Sequence, residues 1–101
     1  MLSGSFPTPY PMAPEVLSIT ANAGAQRLTP TTPTGWICFE VLNTHATDSI
    51  WIGPSTVTAS YTTGREIKAG QPYEVGSSNP AAWWVITGGG NVHVTITGGK
   101  A

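Results

Sequence analysis

The sequence predicts an all-β fold, an antiparallel β-sandwich or a jelly-roll-like barrel of about seven or eight short strands with an extended N-terminal arm. Apolar and polar residues alternate in short segments, and turn-forming residues separate these segments at intervals of about 8 to 12 residues. No stretch repeats apolar residues with the period of a helix. The chain has 101 residues, enough for one domain. We place that domain at residues 15–101, after an arm at residues 1–14.

The arm is predicted from its prolines. These are Pro7, Pro9, Pro11 and Pro14. Closely spaced prolines favour an extended polyproline-like chain and exclude a helix. The arm also contains Phe6, Tyr10 and Met12, whose apolar side chains we expect to contact a neighbouring subunit. A disordered tail is the alternative, since chain termini often lack fixed structure.

The first half of the domain contains three predicted strands. Alternation predicts a strand at residues 15–21 and a brief one at 25–28, before two prolines and a glycine open a loop at 29–35. Residues 36–43 are predicted to form a central strand. Its core face would hold Ile37, Phe39 and Val41, because the opposite face carries Glu40 and burying an unpaired carboxylate costs several kcal/mol. Trp36 would then point outward.

The fourth strand is predicted at residues 50–52 and ends at Gly53 and Pro54, because proline has no N–H for the ladder. Ile50 and Ile52 share one face, which leaves Trp51 on the other. We expect this strand to pair with the central strand, since consecutive strands are often neighbours. Residues 55–64 are expected to form a loop.

The last strands are predicted at residues 65–68, 73–75, 81–87 and 92–97, with a free end at 98–101. Trp83 and Trp84 are adjacent and therefore point to opposite faces of a strand, so one of them lies outside the core. Val92, Val94 and Ile96 are expected to face inward.

Composition argues against several classes of partner. Four basic and five acidic residues give a net charge of −1, so the chain has no basic field for nucleic acid. No apolar run approaches the roughly 20 residues of a membrane-spanning helix, and no signal peptide is recognisable. Globular proteins usually have about a quarter charged residues. Burial of the surface in an assembly would explain so low a charge.

The chain offers no recognisable catalytic or metal-binding pattern. His45 and Asp48 are three residues apart, but no serine lies in a nucleophile-elbow context, and the acidic residues form no close pair. Three glycines at 88–90 indicate a hairpin turn, because no lysine follows at the spacing of a phosphate loop. Cys38 is the sole cysteine and is expected to be a small buried side chain. We therefore predict no enzyme activity, no cofactor and no metal.

Tryptophans predicted to lie outside the core are more informative. Trp36, Trp51 and Trp84 are the candidates for contacts between subunits, since large apolar side chains outside a core usually meet a second sheet or a partner. A second sheet of the same sandwich is the alternative cover. A further hypothesis is that Trp51, Trp36 or Tyr61 forms a platform on which sugars stack.

Several short segments of the sequence follow one another in a particular order. They are AQRL at 25–28, the strand at 36–42, IWIG at 50–53 followed by VTA at 57–59, GREIKAG at 64–70, YEV at 73–75, AWWVI at 82–86 and the strand at 92–97. In order and spacing these pieces resemble small virion proteins of tailed bacteriophages. The resemblance covers roughly residues 16–97, and the proline-rich arm lies outside it.

The resemblance implies a non-enzymatic structural protein, in the first place a capsid decoration (cement) protein. Such a protein binds the head lattice as an oligomer, so the implied partners are the major capsid protein and copies of this chain, as a homotrimer. Its implied location is the capsid surface of the virion, after assembly in the host cytoplasm. A tail, baseplate or head-fibre component is the alternative, and a carbohydrate-binding β-sandwich module is the alternative from another class.

Overall fold

Two four-stranded antiparallel sheets form the protein, which confirms the predicted β-sandwich. The computed structural model describes the backbone of residues 13–60 and 62–100 and the side chains of residues 15–60 and 62–99. The predicted arm contacts Phe6, Tyr10 and Met12 lie outside the described residues, as does Tyr61. The strand β1 begins inside the predicted arm, because Ala13 already pairs with the last strand.

The strands lie close to the predicted positions. They are β1 (Ala13–Ala21), β2 (Gln26–Arg27), β3 (Trp36–Asn43), β4 (Ile50–Gly53), β5 (Arg65–Ile67), β6 (Pro72–Val75), β7 (Trp84–Thr87) and β8 (Val92–Lys100). A 3₁₀ turn, Pro80–Ala82, precedes β7. Sheet A has the order β1-β8-β3-β6, and sheet B has the order β2-β7-β4-β5.

The core lies between the two sheets. Sheet A contributes Phe39, Val41, Val92, Val94 and Ile96, and sheet B contributes Ile50, Ile52, Ile67 and Val85. The predicted inward orientation of these strand residues is confirmed wherever the sequence analysis assigned one. Since each fully buried aliphatic side chain contributes about 1.5–3 kcal/mol, this cluster supplies the main stabilising term of the fold.

A β-bulge at the start of β3 reverses two predicted orientations. Trp36 pairs with Lys100 and Cys38 pairs with Gly99, so Ile37 is an extra residue with no partner of its own in β8. The insertion turns Trp36 to the core side, where it is 5% exposed, and leaves Ile37 37% exposed. The predictions that Trp36 points outward and that Ile37 points inward are therefore wrong.

Two further predictions are wrong. The strand β4 does not pair with β3, since β3 lies in sheet A and β4 lies in sheet B. The segment 98–101 is not wholly a free end, because Gly98 and Gly99 belong to β8. Gly98 is needed there since a Cβ atom would collide with the indole of Trp36. Glycine thus lets β8 run beneath the tryptophan.

Candidate functional site

The outer face of sheet B is the most distinctive surface of the described chain. Cross-strand pairing places Arg27 and Gly53 beside Trp84, and places Ile86 and Glu66 beside Trp51. We name Arg27, Trp51, Glu66, Trp84 and Ile86 the sheet B surface. The alternate residues of these strands, such as Ile52 and Val85, are buried in the core, so the sheet B surface faces away from sheet A.

Charges flank the aromatic side chains of this surface. The Arg27 guanidinium lies 5.6 Å from the centroid of the Trp84 ring, within the range of a cation–π contact. At the other edge of the sheet, the Ser49 hydroxyl donates to Oε2 of Glu66 at 2.6 Å. The surface therefore has half-buried aromatic side chains at its centre and single charges at its edge. Protein interfaces often have this composition.

Trp51 has an unusual environment within this surface. Its side chain is half-buried, and its indole Nε1 is inaccessible and has no hydrogen-bond partner. An indole N–H can only donate, and burying a donor without a partner costs about 1–3 kcal/mol. Such donors are rare in folded proteins, which makes the surroundings of Trp51 a candidate site.

A polar groove of about 410 Å³ adjoins Trp51. It is lined by Thr47, Asp48, Ser49, Trp51, Thr87 and the glycines at 88–90. The Thr87 hydroxyl donates to the Gly90 carbonyl at 2.6 Å and accepts from the Gly89 N–H at 3.2 Å. The three glycines connect β7 in sheet B to β8 in sheet A, so the predicted hairpin at this position is wrong and the chain crosses between the sheets here. The groove offers an aromatic ring beside a carboxylate and hydroxyl groups.

A second groove, of about 540 Å³, lies between β1 and the loop that follows β2. Leu17, Ile19, Leu28, Pro30 and Pro33 supply its apolar lining, and Glu15 lies at the same groove. Oε1 of Glu15 accepts a hydrogen bond from Nε1 of Trp36 at 2.7 Å. This hydrogen bond joins β3 to β1, the edge strand of the same sheet.

His45 and Asp48 approach each other as their spacing suggested, but they form a turn. The Nδ1 atom of His45 accepts from the backbone N–H of Asp48 at 2.9 Å and from that of Thr47 at 3.1 Å. Nε2 of His45 lies 3.9 Å from Oδ2 of Asp48. Because backbone donors already occupy Nδ1, that nitrogen is poorly placed to take a proton from a nucleophile.

Burial changes the titration of two side chains on sheet A. It raises the pKa of the Glu40 carboxyl, and the negative charge of Glu74 on β6 raises it further. It also raises the pKa of the Cys38 thiol, again with a smaller contribution from Glu74. A cysteine nucleophile needs a lowered pKa, so this environment favours an unreactive thiol.

The structure separates the predicted contact residues into three groups. Trp51 and Trp84 lie on the sheet B surface, Trp36 lies in the core, and the arm residues fall outside the described chain. Trp83, the neighbour that could not be assigned from sequence, packs partly buried against the core. Sequence reasoning missed Arg27 and Ile86, although period-2 alternation from Trp84 places Ile86 on the same face.

No group of three or more histidine, cysteine, aspartate and glutamate side chains in residues 13–60 and 62–100 is arranged to hold a metal ion. No helix in the same part of the chain is long and apolar enough to cross a membrane.

Comparison with known proteins adds no relative: no protein-family model matches the chain, and neither a curated protein nor a solved structure is detectably similar to it.

Proposed function

We propose that this chain is a non-enzymatic structural protein of a phage virion, most specifically a capsid decoration protein that binds the head lattice as an oligomer. Its partners are the major capsid protein and further copies of this chain, as a homotrimer. The resemblance of the ordered sequence pieces to small phage virion proteins motivates the proposal. The observation that carries it is the sheet B surface, where two tryptophans and an isoleucine stand on the outer face of a sheet.

Such a surface suits attachment to a repeating lattice. Trp84, Trp51 and Ile86 are half-buried in the single chain and would bury further apolar area against a partner. Many copies on one particle add their contacts through avidity, so each copy needs only a modest interface.

Replacement of Trp84 tests the proposal. Interface tryptophans often contribute at least about 2 kcal/mol to binding, which corresponds to roughly 30-fold in affinity. We expect Trp84→Ala to lower the affinity for undecorated heads by about that factor, measured by co-sedimentation of purified protein with heads. Val16→Ala is the matched control, because Val16 is an exposed apolar side chain on the outer face of the other sheet.

The outcomes of this experiment distinguish the possible positions of this protein on the virion. Unchanged binding of the Trp84→Ala variant would remove the sheet B surface as the contact. If the wild-type protein does not bind heads, and microscopy with a labelled protein finds it at the tail, baseplate or a head fibre, the decoration role is wrong and that alternative stands. Deletion of residues 1–12, with Phe6, Tyr10 and Met12, should also lower occupancy if the arm contacts a neighbouring subunit.

The polar groove beside Trp51 favours a second candidate, carbohydrate binding. Sugars stack their apolar faces on aromatic rings and exchange hydrogen bonds with carboxylates and hydroxyls, and this groove holds Trp51 next to Asp48 and Thr87. A glycan array with the wild-type chain tests this candidate. A retained sugar that is lost in both Trp51→Ala and Asp48→Asn would support it, and an array without any retained sugar would remove it.

A further inference from the structure

One edge of the sandwich differs from the other three. The edge strands β2, β5 and β6 have two, three and four residues. The edge strand β1 has nine, and its register with β8 runs from Ala13 to Ala21 without a bulge. Proteins usually prevent pairing at a sheet edge by short strands, charges or bulges. Residues 16–21 of β1 contain no charged side chain, so this part of the strand has none of these protections.

The hydrogen-bond pattern of sheet A shows which backbone groups of β1 point outward. The strand β8 lies between β1 and β3, and its His93 carbonyl bonds toward β3, accepting from the Thr44 N–H at 3.3 Å. Bonding direction alternates along an antiparallel strand, so the even-numbered residues of β8 bond to β1. These residues pair with the odd-numbered residues of β1. Val16, Ser18 and Thr20 therefore direct their N–H and C=O groups away from β8.

Open space borders this outer edge of β1. A groove of about 540 Å³ lies between β1 and the loop of residues 28–34. Leu17 and Ile19 line the groove, and both are only partly buried against the core. Nε2 of Gln26, outside sheet A, donates to the Thr20 carbonyl at 3.3 Å, which agrees with the outward direction of that carbonyl. A further strand placed here would complete the burial of Leu17 and Ile19.

We propose that the β1 strands of two copies of this chain pair antiparallel at this edge and join the two A sheets into one continuous sheet. A two-fold axis at Ser18 places Ser18 opposite Ser18 of the second copy, and Val16 opposite Thr20. All three residues direct their backbone groups outward, so each opposed pair exchanges two main-chain hydrogen bonds. Such a contact is isologous, because the same strand serves both copies.

The side chains of β1 are self-complementary in this register. On the inner face, Leu17 lies opposite Ile19 of the second copy, so each strand supplies apolar contacts to the other. Glu15 is the sole charged residue of β1, and it lies opposite Ala21, so like charges do not meet. Pro14 has no N–H to donate, and it falls beyond the paired residues. This self-complementarity identifies a second copy as the partner.

This contact is separate from the sheet B surface, which lies on the other sheet. It joins copies in pairs, so a homotrimer on the lattice would have to form through a different surface. The proposal does not depend on the virion role, because each test below uses the free chain.

Proline at position 18 tests the outer edge. The Ser18 N–H points away from β8, so Ser18→Pro keeps the bonds between β1 and β8. We expect the full chain to form a dimer in sedimentation equilibrium. Both copies of the variant lose a hydrogen bond, so Ser18→Pro should raise the dimer dissociation constant at least about 30-fold. Ser18→Ala keeps the N–H and is the matched control, expected within about threefold of the wild type.

The outcomes of sedimentation are decisive when circular dichroism shows that each variant retains the β-sheet spectrum. A wild-type chain that is a monomer at every concentration, or a trimer, would overturn the proposal. Equal dissociation constants for Ser18→Pro and Ser18→Ala would overturn it as well.

Disulfide formation between copies tests the register without a proline. In a Cys38→Ala background, Ser18→Cys places two thiols opposite each other, with Cα atoms about 5.5 Å apart, which a disulfide can bridge. Val16→Cys is the matched control, because position 16 is exposed on the same strand but would lie about 14 Å from its equivalent.

Oxidation with diamide, followed by non-reducing gel electrophoresis, gives the comparison. We expect Ser18→Cys to form a covalent dimer at least about tenfold faster than Val16→Cys, because only the first pair meets the geometry of a disulfide. Equal rates for the two variants, or no covalent dimer of Ser18→Cys, would contradict the proposed pairing.

Discussion

Glu40 gives the protein a pH dependence that can be assigned to one residue. Burial, and to a smaller extent the charge of Glu74, raise the pKa of the Glu40 carboxyl above its usual value of 4.5. The native protein therefore binds this proton more tightly than the unfolded chain does. The resulting contribution to stability is complete below pH 4.5 and is lost as the pH rises through the native pKa.

The first prediction follows from this sign. Glu40→Gln replaces the carboxyl by a neutral amide of similar shape, so the variant should have a higher melting temperature than the wild type at pH 7. The difference should shrink as the pH falls from above the native pKa toward 4.5, and it should stay constant below 4.5, where the wild-type carboxyl is protonated in both states. Thermal unfolding followed by circular dichroism between pH 3 and 8 measures both curves. A difference that is constant over this range would show that Glu40 does not act through its charge.

Asn43 is the residue whose removal should cost most among the polar side chains. It is fully buried at the end of β3, and its Nδ2 donates to the carbonyl oxygens of Asp48 at 2.8 Å and Ile67 at 2.9 Å. Its Oδ1 accepts from the His45 backbone N–H at 2.9 Å. One side chain thus joins sheet A, the 44–49 loop and sheet B.

The second prediction is that Asn43→Ala lowers the free energy of unfolding by about 3 kcal/mol or more, because two carbonyl groups and one N–H lose their buried partner. Denaturation in urea measures the loss. Asn91→Ala is the control, since Asn91 is exposed in the connection between β7 and β8, and this substitution should change the free energy of unfolding by no more than about 0.5 kcal/mol. Equal effects of the two substitutions would contradict the bridging role of Asn43.

At the scale of elements, alternation predicted the strands but not the bulge. The period of two residues correctly assigned Phe39, Val41, Ile50 and Ile52 to the core. It failed at Trp36 and Ile37 because one inserted residue reverses the faces of everything before it. The insertion depends on how β3 pairs with β8. The local sequence of β3 does not determine that pairing.

Gly98 provides the test of this bulge and the third prediction. A methyl group at position 98 would collide with the Trp36 indole, so Gly98→Ala should force the ring or β8 to move and should cost about 2–3 kcal/mol. Gly76→Ala is the matched control, because no atom lies within 4 Å of the Cβ position there. Urea denaturation of both variants gives the comparison. Tolerance of Gly98→Ala would mean that Trp36 does not pack over β8.

At the scale of the whole molecule, sequence patterns could not decide which strands pair. Proximity in sequence suggested that β3 and β4 are neighbours, but the chain crosses between sheets there, whereas β1 pairs with β8 from the far end of the domain. Such partners are selected by packing of the whole core. The sheet B surface could be predicted only in part for the same reason, since Arg27 meets Trp84 through the pairing of β2 with β7.

The last prediction concerns β8, which lies between β1 and β3 in sheet A. It contributes Val92, Val94 and Ile96, all fully buried, and their burial is worth about 5–9 kcal/mol in total. Most domains are stable by only about 5–15 kcal/mol, and loss of β8 would also leave β1 without its hydrogen-bonding partner.

A chain of residues 1–90 should therefore remain unfolded, with no sheet spectrum in circular dichroism and rapid digestion by protease. A chain of residues 13–101 should resist the same protease, because it keeps all eight strands. Cooperative thermal unfolding of residues 1–90 would show that sheet A forms without its central strand, and the order of strands described above would then be wrong.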